Sequence, residues 1–70
     1  MSHIYSNMAG SVWKILVQIN DQIIEGQDVV ILESMKMEIP IVAETNGIVK
    51  SIKINVGDFV NDGDELIELI

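Results

Sequence analysis

Cysteine is absent from this 70-residue chain. That excludes disulfide staples, a thiol nucleophile and sulfur metal ligands together, and it fits a reducing compartment. Aromatic residues are scarce, one each of Trp, Tyr and Phe, so the 49% hydrophobic content rests mainly on Ile and Val, the β-branched residues that suit strands. No stretch approaches the roughly 18 apolar residues of a membrane span. Met1 to Gly10 carries no basic segment leading into an apolar run. A soluble cytoplasmic protein without a membrane partner is expected. Positive charge is short as well: 4 basic residues against 11 acids give a net charge of −7, which repels phosphate backbones and excludes a nucleic-acid partner. The bland account of that charge is solubility. A chain of this length makes one domain at most, residues 1–70, near the size at which a core only just outweighs conformational entropy. An elaborate active site is not expected.

What the sequence does contain is one motif written twice. A shift of 37 residues superimposes Gly10, Val12, Ile15, Val17, Ile19, Asp21, Ile23, Gly26, Val29 and Leu32 on Gly47, Val49, Ile52, Ile54, Val56, Asp58, Val60, Gly63, Leu66 and Leu69. The halves run over about residues 10–33 and 47–70. Two units are too few for a solenoid, so each half must complete the other's core.

In each copy the apolar positions first step by three, Val12 to Ile15 and Val49 to Ile52, and then by two. A bulge or sharp bend at Trp13-Lys14 and at Lys50-Ser51 would restore the inward register. Ile52, Ile54 and Val56 then read as the inward face of a strand, and Glu65 to Ile70 as a closing strand. Asn20 stands where the second copy has Gly57, and both are suited to a left-handed conformation. Turn signals every eight to twelve residues leave no room for an ordinary helix. The expected fold is all-β: a flattened β-barrel or two-sheet sandwich of two quasi-symmetric halves. The halves meet in 29–42, where two apolar strands flank the hairpin segment Ser34-Met35-Lys36-Met37, placed by the pseudo-two-fold at the opposite end from the chain termini. Pro40 is expected on an edge strand or with its ring nitrogen facing away from the ladder.

That hairpin is the one segment periodicity does not explain. Two methionines flank a lysine where Asn-Gly or Asp-Gly would serve a turn better. Two readings stand at this point: a presented Lys36, or an ordinary surface lysine with methionines packed over the end of the core. Elsewhere chemistry is thin. Asp58 to Gly63 has part of a calcium-loop pattern, but Val60 occupies a ligand position and Leu69 the place of the bidentate glutamate. His3 has no second histidine or cysteine to share a metal. No metal site and no catalytic residue is expected. Trp13 aligns with Lys50, which implies a partly exposed ring beside the bulge.

Glu33-Ser34-Met35-Lys36-Met37-Glu38 resembles the signature of the biotinyl domains of biotin-dependent carboxylases, whose usual form is Glu-Ala-Met-Lys-Met. The resemblance runs from Met8-Ala9-Gly10 through the Gly-Asp-type turns to Leu69, nearly the whole chain. Ser34 departs from the usual alanine, and Asn20 from the glycine of the first such turn. There is no room between Val12 and Asp21 for the extra loop, or thumb, of some bacterial acetyl-CoA carboxylase carriers.

The resemblance implies a biotinyl/lipoyl-type barrel-sandwich hybrid and covalent biotin on Lys36. It also implies Met35 and Met37, and more weakly Glu33, as features read by a biotin protein ligase. Further implied partners are biotin carboxylase and carboxyltransferase, between which a non-catalytic carrier shuttles carboxyl groups. Lipoyl domains share the fold, but there the lysine follows aspartate and precedes alanine, so lipoate is the alternative cofactor. An unmodified structural module is the third reading.

Overall fold

The computed structural model describes residues 2–70; Met1 of the expected domain lies outside the described residues. The β-branched runs form eight strands: β1 Ser2–Tyr5, β2 Gly10–Ile15, β3 Gln22–Ile23, β4 Asp28–Ser34, β5 Met37–Val42, β6 Gly47–Ile52, β7 Phe59–Val60 and β8 Glu65–Leu69. They make two four-stranded sheets, β1-β8-β6-β3 and β5-β4-β2-β7, with every pairing antiparallel. The all-β sandwich expected from the sequence is the fold.

The halves are interlocked rather than merely stacked. β3 of the first half pairs with β6 of the second, and β7 of the second pairs with β2 of the first. The turns that deliver these short strands are tied across the molecule by equivalent bonds. Asn20 N–H donates to Val49 O and Val49 N–H to Asp21 O; in the other half Gly57 N–H donates to Val12 O and Val12 N–H to Asp58 O, all at 2.8–2.9 Å. Asn20 and Gly57 both sit at positive φ, 78° and 97°. Asn is, after glycine, among the residues that enter this region most readily.

The core repeats the same symmetry. Ile4 matches Ile41, Val12 Val49, Val17 Ile54, Ile23 Val60, Val29 Leu66, Val30 Ile67 and Leu32 Leu69, all buried. The remaining buried pair is Ala43 and Ser6, and the Ser6 hydroxyl is satisfied by the Met8 carbonyl. Burying each such Val, Leu or Ile is worth about 1.5–3 kcal/mol, so the core depends on both copies equally. β1 therefore belongs to the repeat as the counterpart of β5. Ser6 N–H to Asp64 O and Gly63 N–H to Ser6 O mirror Ala43 N–H to Gln27 O and Gly26 N–H to Ala43 O. The repeat is longer than the 10–33 and 47–70 halves legible in the sequence.

The steps of three are bulges, with register shifts between Val12 and Lys14 and between Val49 and Ser51. Pro40 lies on β5, an edge strand, and is exposed. One expectation fails. Val56 and its counterpart Ile19 are not inward but 64% and 57% exposed. The strand ends earlier, because the Asp58 carboxylate accepts the Asn55 N–H and the Asp21 carboxylate the Gln18 N–H, each at 2.8 Å, bending the chain into its turn.

These two carboxylates occupy equivalent places, so Asp21→Ala and Asp58→Ala should each lower stability by about 1 kcal/mol, the usual loss for a side-chain cap of a backbone N–H. Urea denaturation of the two variants checks this. A loss confined to one of them would show that the halves are not energetically equivalent.

Candidate functional site at the Met35–Lys36 turn

β4 and β5 stay paired up to Ser34↔Met37, which leaves only Met35 and Lys36 in the turn. The loop is tighter than the four-residue hairpin segment read from the sequence, since Ser34 and Met37 belong to the strands. Met35 and Lys36 have φ of 52° and 63°. Positive φ at both central residues is what the type I′ hairpin turn requires, since its twist matches the strands. Neither residue is glycine or asparagine, so the turn stores about 1–2 kcal/mol of backbone strain at each position. The antiparallel ladder beneath holds it in place.

The geometry presents the amine. Lys36 is exposed and has no hydrogen-bond or ion-pair partner among the described residues. Met35 is 92% exposed and Met37 61%. The methionines therefore do not pack over the end of the core. Two soft, adaptable apolar side chains flank the lysine in water, an arrangement suited to contact with a partner.

Below the turn, Glu33 and Glu38 are exposed register partners. Like charges directly opposite one another oppose pairing slightly. Glu33 thus stands beneath the lysine as half of an acidic pair, which the sequence did not indicate. Gly10 is a second contributor missed at that stage as part of the site. A Cβ there would lie 2.9 Å from the Glu33 carbonyl oxygen, so only glycine lets β2 pass this close under the base of the hairpin. Its counterpart Gly47 meets the Ile70 carbonyl at 3.1 Å in the same way. The signal was present in the repeat, where Gly10 aligns with Gly47.

The other candidates resolve into structure. Asp58 and Asp64 spend a carboxylate oxygen each on the N–H groups of Asn55 and Asn61, as turn residues do. His3 pairs with Glu65 and stacks near Tyr5, with ring centroids 5.9 Å apart. Trp13 is partly exposed beside its bulge, with Lys14 Nζ 4.6 Å from its ring centre. A concavity between edge strands β1 and β5, lined by Ile4, Tyr5, Ile41 and Val42 among others, contains no lysine. No helix among the described residues is long and apolar enough to cross a membrane.

Comparison with known proteins agrees with this geometry. The chain is 64% identical over 62 residues to the "Biotin/lipoyl attachment protein" of Bacillus subtilis, covering 89% of this chain and 85% of that one. It is 40% identical over 68 residues to the pyruvate carboxylase of Staphylococcus aureus, covering 97% of this chain but 6% of the carboxylase. The fold superimposes on part of the crystal structure of the Kluyveromyces lactis urea carboxylase with a TM-score of 0.91 at 32% identity, covering 99% of this chain and 6% of that one. Residues 2–69 match the biotin/lipoyl family described as "Biotin-requiring enzyme", and the chain belongs to that family.

Proposed function

We propose that this chain is a biotin carrier domain and that Lys36 is the residue biotinylated. The observation that carries the assignment is the turn itself: an exposed amine, unpartnered among the described residues, held at left-handed φ between two exposed methionines in a chain of this family. A covalently attached group needs reach rather than a pocket, and the open space around Lys36 fits a long tether. The relatives include proteins named as biotin carboxyl carriers and carboxylases.

The chemistry asked of the chain is small. In a biotin protein ligase the Lys36 amine attacks the carbonyl of biotin activated as an acyl adenylate; the C–N bond forms, AMP leaves and the amine gives up a proton. Among the described residues the turn offers the amine no neighbouring base, so the ligase must supply deprotonation and positioning. The bound cofactor then supplies a ureido nitrogen able to carry a carboxyl group between a biotin carboxylase and a carboxyltransferase. Lys36 thereafter acts only as an anchor, and the rigid hairpin keeps the tethered ring at high local concentration near both active sites. The domain has a carrier's part in the reaction, not a catalyst's.

Intact-mass measurement after incubation with a biotin protein ligase, biotin and ATP should show one biotin, lost in Lys36→Arg. Exchanging the residues, Met35→Lys with Lys36→Met, should leave the sandwich folded and cut the labelling rate severely, because the next position of a tight turn projects differently. Biotin at comparable yield on Lys14, Lys50 or Lys53 would refute the assignment; lipoate in its place, or no modification, would return the two alternatives. Replacing Met35 with Asp and Met37 with Ala writes the lipoyl pattern and should shift the domain toward a lipoate ligase.

The strain in the turn makes a second, separable prediction. Met35→Asn should raise stability by about 1 kcal/mol, because Asn accepts left-handed φ more readily, while slowing biotinylation. Thermal unfolding and labelling kinetics on the same variant check this. A variant that gains stability and is labelled as fast as the wild type would show that the methionine has no part in recognition.

A further inference from the structure

The pseudo-twofold supplies an internal control for every surface position. Single surface positions differ, as Ser11 from Ile48 and Gln22 from Phe59, and at one place a whole cluster differs. On the outer face of β1-β8-β6-β3, Glu68 lies between Lys50 and Lys53, its oxygens 3.8 and 3.7 Å from their amines, accepts a 3.1 Å bond from the Ser51 hydroxyl and has His3 as register partner. The Ser51 bond first, then the neighbouring cations, outweigh partial desolvation and hold the Glu68 carboxyl below its ordinary range. Shifted by 37 residues, Lys50, Lys53, Glu68 and His3 become Trp13, Leu16, Ile31 and Pro40. The same cross-strand geometry recurs, with Ile31 the register partner of Pro40. Ser51 becomes Lys14, the register partner of Ile31, whose amine lies 4.6 Å from the Trp13 ring centre. The ionic cluster has been replaced by a largely apolar one that keeps a single cation, folded over its tryptophan.

Folding does not require the replacement. The second half shows that this backbone accepts polar or charged residues at all four positions, which are exposed or only partly buried there. Trp13 and Leu16 are 37% and 45% exposed, and Pro40 is exposed. Acids edge the cluster on the same face: Glu33 and Glu38 toward the turn, and Asp28 at the far end of β4. Two copies meeting through this face would bring those acids together on chains of net charge −7. The complementary occupant is a surface with an apolar centre and a rim of Lys or Arg.

We propose that the Trp13–Leu16–Ile31–Pro40 face docks the biotin carboxylase that loads the cofactor carried by Lys36. The proposal rests on the biotin-carrier reading. Ile31 and Pro40 belong to the two strands that end in the Met35–Lys36 turn, so a partner gripping them is fixed relative to the tether. They lie four residues back from the turn, about 13 Å at roughly 3.3 Å per residue. The acidic Glu33–Glu38 pair separates them from the exposed methionines. A ligase must hold the amine at the tip and has the methionines to hold. A partner working at the far end of the tether has this flank instead.

The test writes the second half's residues onto the first: Trp13→Lys, Leu16→Lys and Ile31→Glu together, with Leu16→Lys plus Ile31→Glu as the milder variant should the triple fail to fold. Wild type and variant are fully biotinylated, verified by intact mass, and offered to a purified biotin carboxylase in a carrier-dependent ATP-hydrolysis assay. The expected result is a tenfold or greater rise in KM for the carrier with kcat within twofold, and a ligase labelling rate within twofold of wild type. An unchanged KM overturns the proposal, and so does a ligase rate that falls as much as KM rises, since the face would then serve the ligase. A wild-type domain that takes no biotin fails at the loading step, which overturns the carrier reading and not the docking comparison.

Discussion

Each half of this molecule is closed by hydrogen bonds to the other half. The Asn20-Asp21 turn is tied to Val49 and the Gly57-Asp58 turn to Val12, so neither short strand, β3 or β7, has a ladder partner in its own half. Two copies of about thirty residues would each be too small to bury a core alone. Exchanging strands joins them into one core in which every buried apolar side chain but Ala43 has an apolar counterpart, and Ala43 has Ser6. The bulges at Trp13 and Lys50 belong to the same economy: each turns the inward register by one residue so that its strand faces the shared core along its length.

The strained turn depends on that interlocking. Left-handed φ at Met35 and Lys36 persists only where the surroundings determine it more firmly than local preference does. Here β4 lies between β2 and β5, with Gly10 admitting β2 against the Glu33 carbonyl. A residue pair chosen for what it presents, rather than for how it turns, can then be displayed at the end of a stiff ladder. The framework supplies rigidity, and the two central residues are left free to be chemically useful.

Much of this was legible in the sequence for identifiable reasons. The 37-residue shift exposed the repeat because core positions and turn residues are constrained alike in both halves, and the step of three fixed both bulges. Pro40 reported an edge because it cannot donate to a ladder. Lys36 stood out because the repeat did not explain it. What escaped notice lacked a pattern. β1 went unrecognised as the counterpart of β5 since, of His3, Ile4, Tyr5 and Ser6 against Pro40, Ile41, Val42 and Ala43, only the isoleucines agree. Val56 and Ile19 read as inward because alternation continues through them, whereas Asp58 and Asp21 capture backbone N–H groups and end the strand first. The left-handed pair was hidden because neither Met nor Lys signals positive φ.

The symmetry also shows where function enters. β8 and β1 pair as β4 and β5 do, and Ile70 meets Gly47 as Glu33 meets Gly10. Of these two equivalent strand pairs only β4 and β5 are joined by a hairpin, so only one end of the pseudo-twofold frame displays a turn. The outer faces then diverge on the same side of the comparison. The sheet bearing the hairpin carries Trp13, Leu16, Ile31 and Pro40, and its counterpart carries Lys50, Lys53, Glu68 and His3. Inside the molecule the twofold is kept because packing demands the same shapes from both halves. Outside it is broken, since a duplicated frame constrains the core of both copies but leaves each surface to whatever meets it.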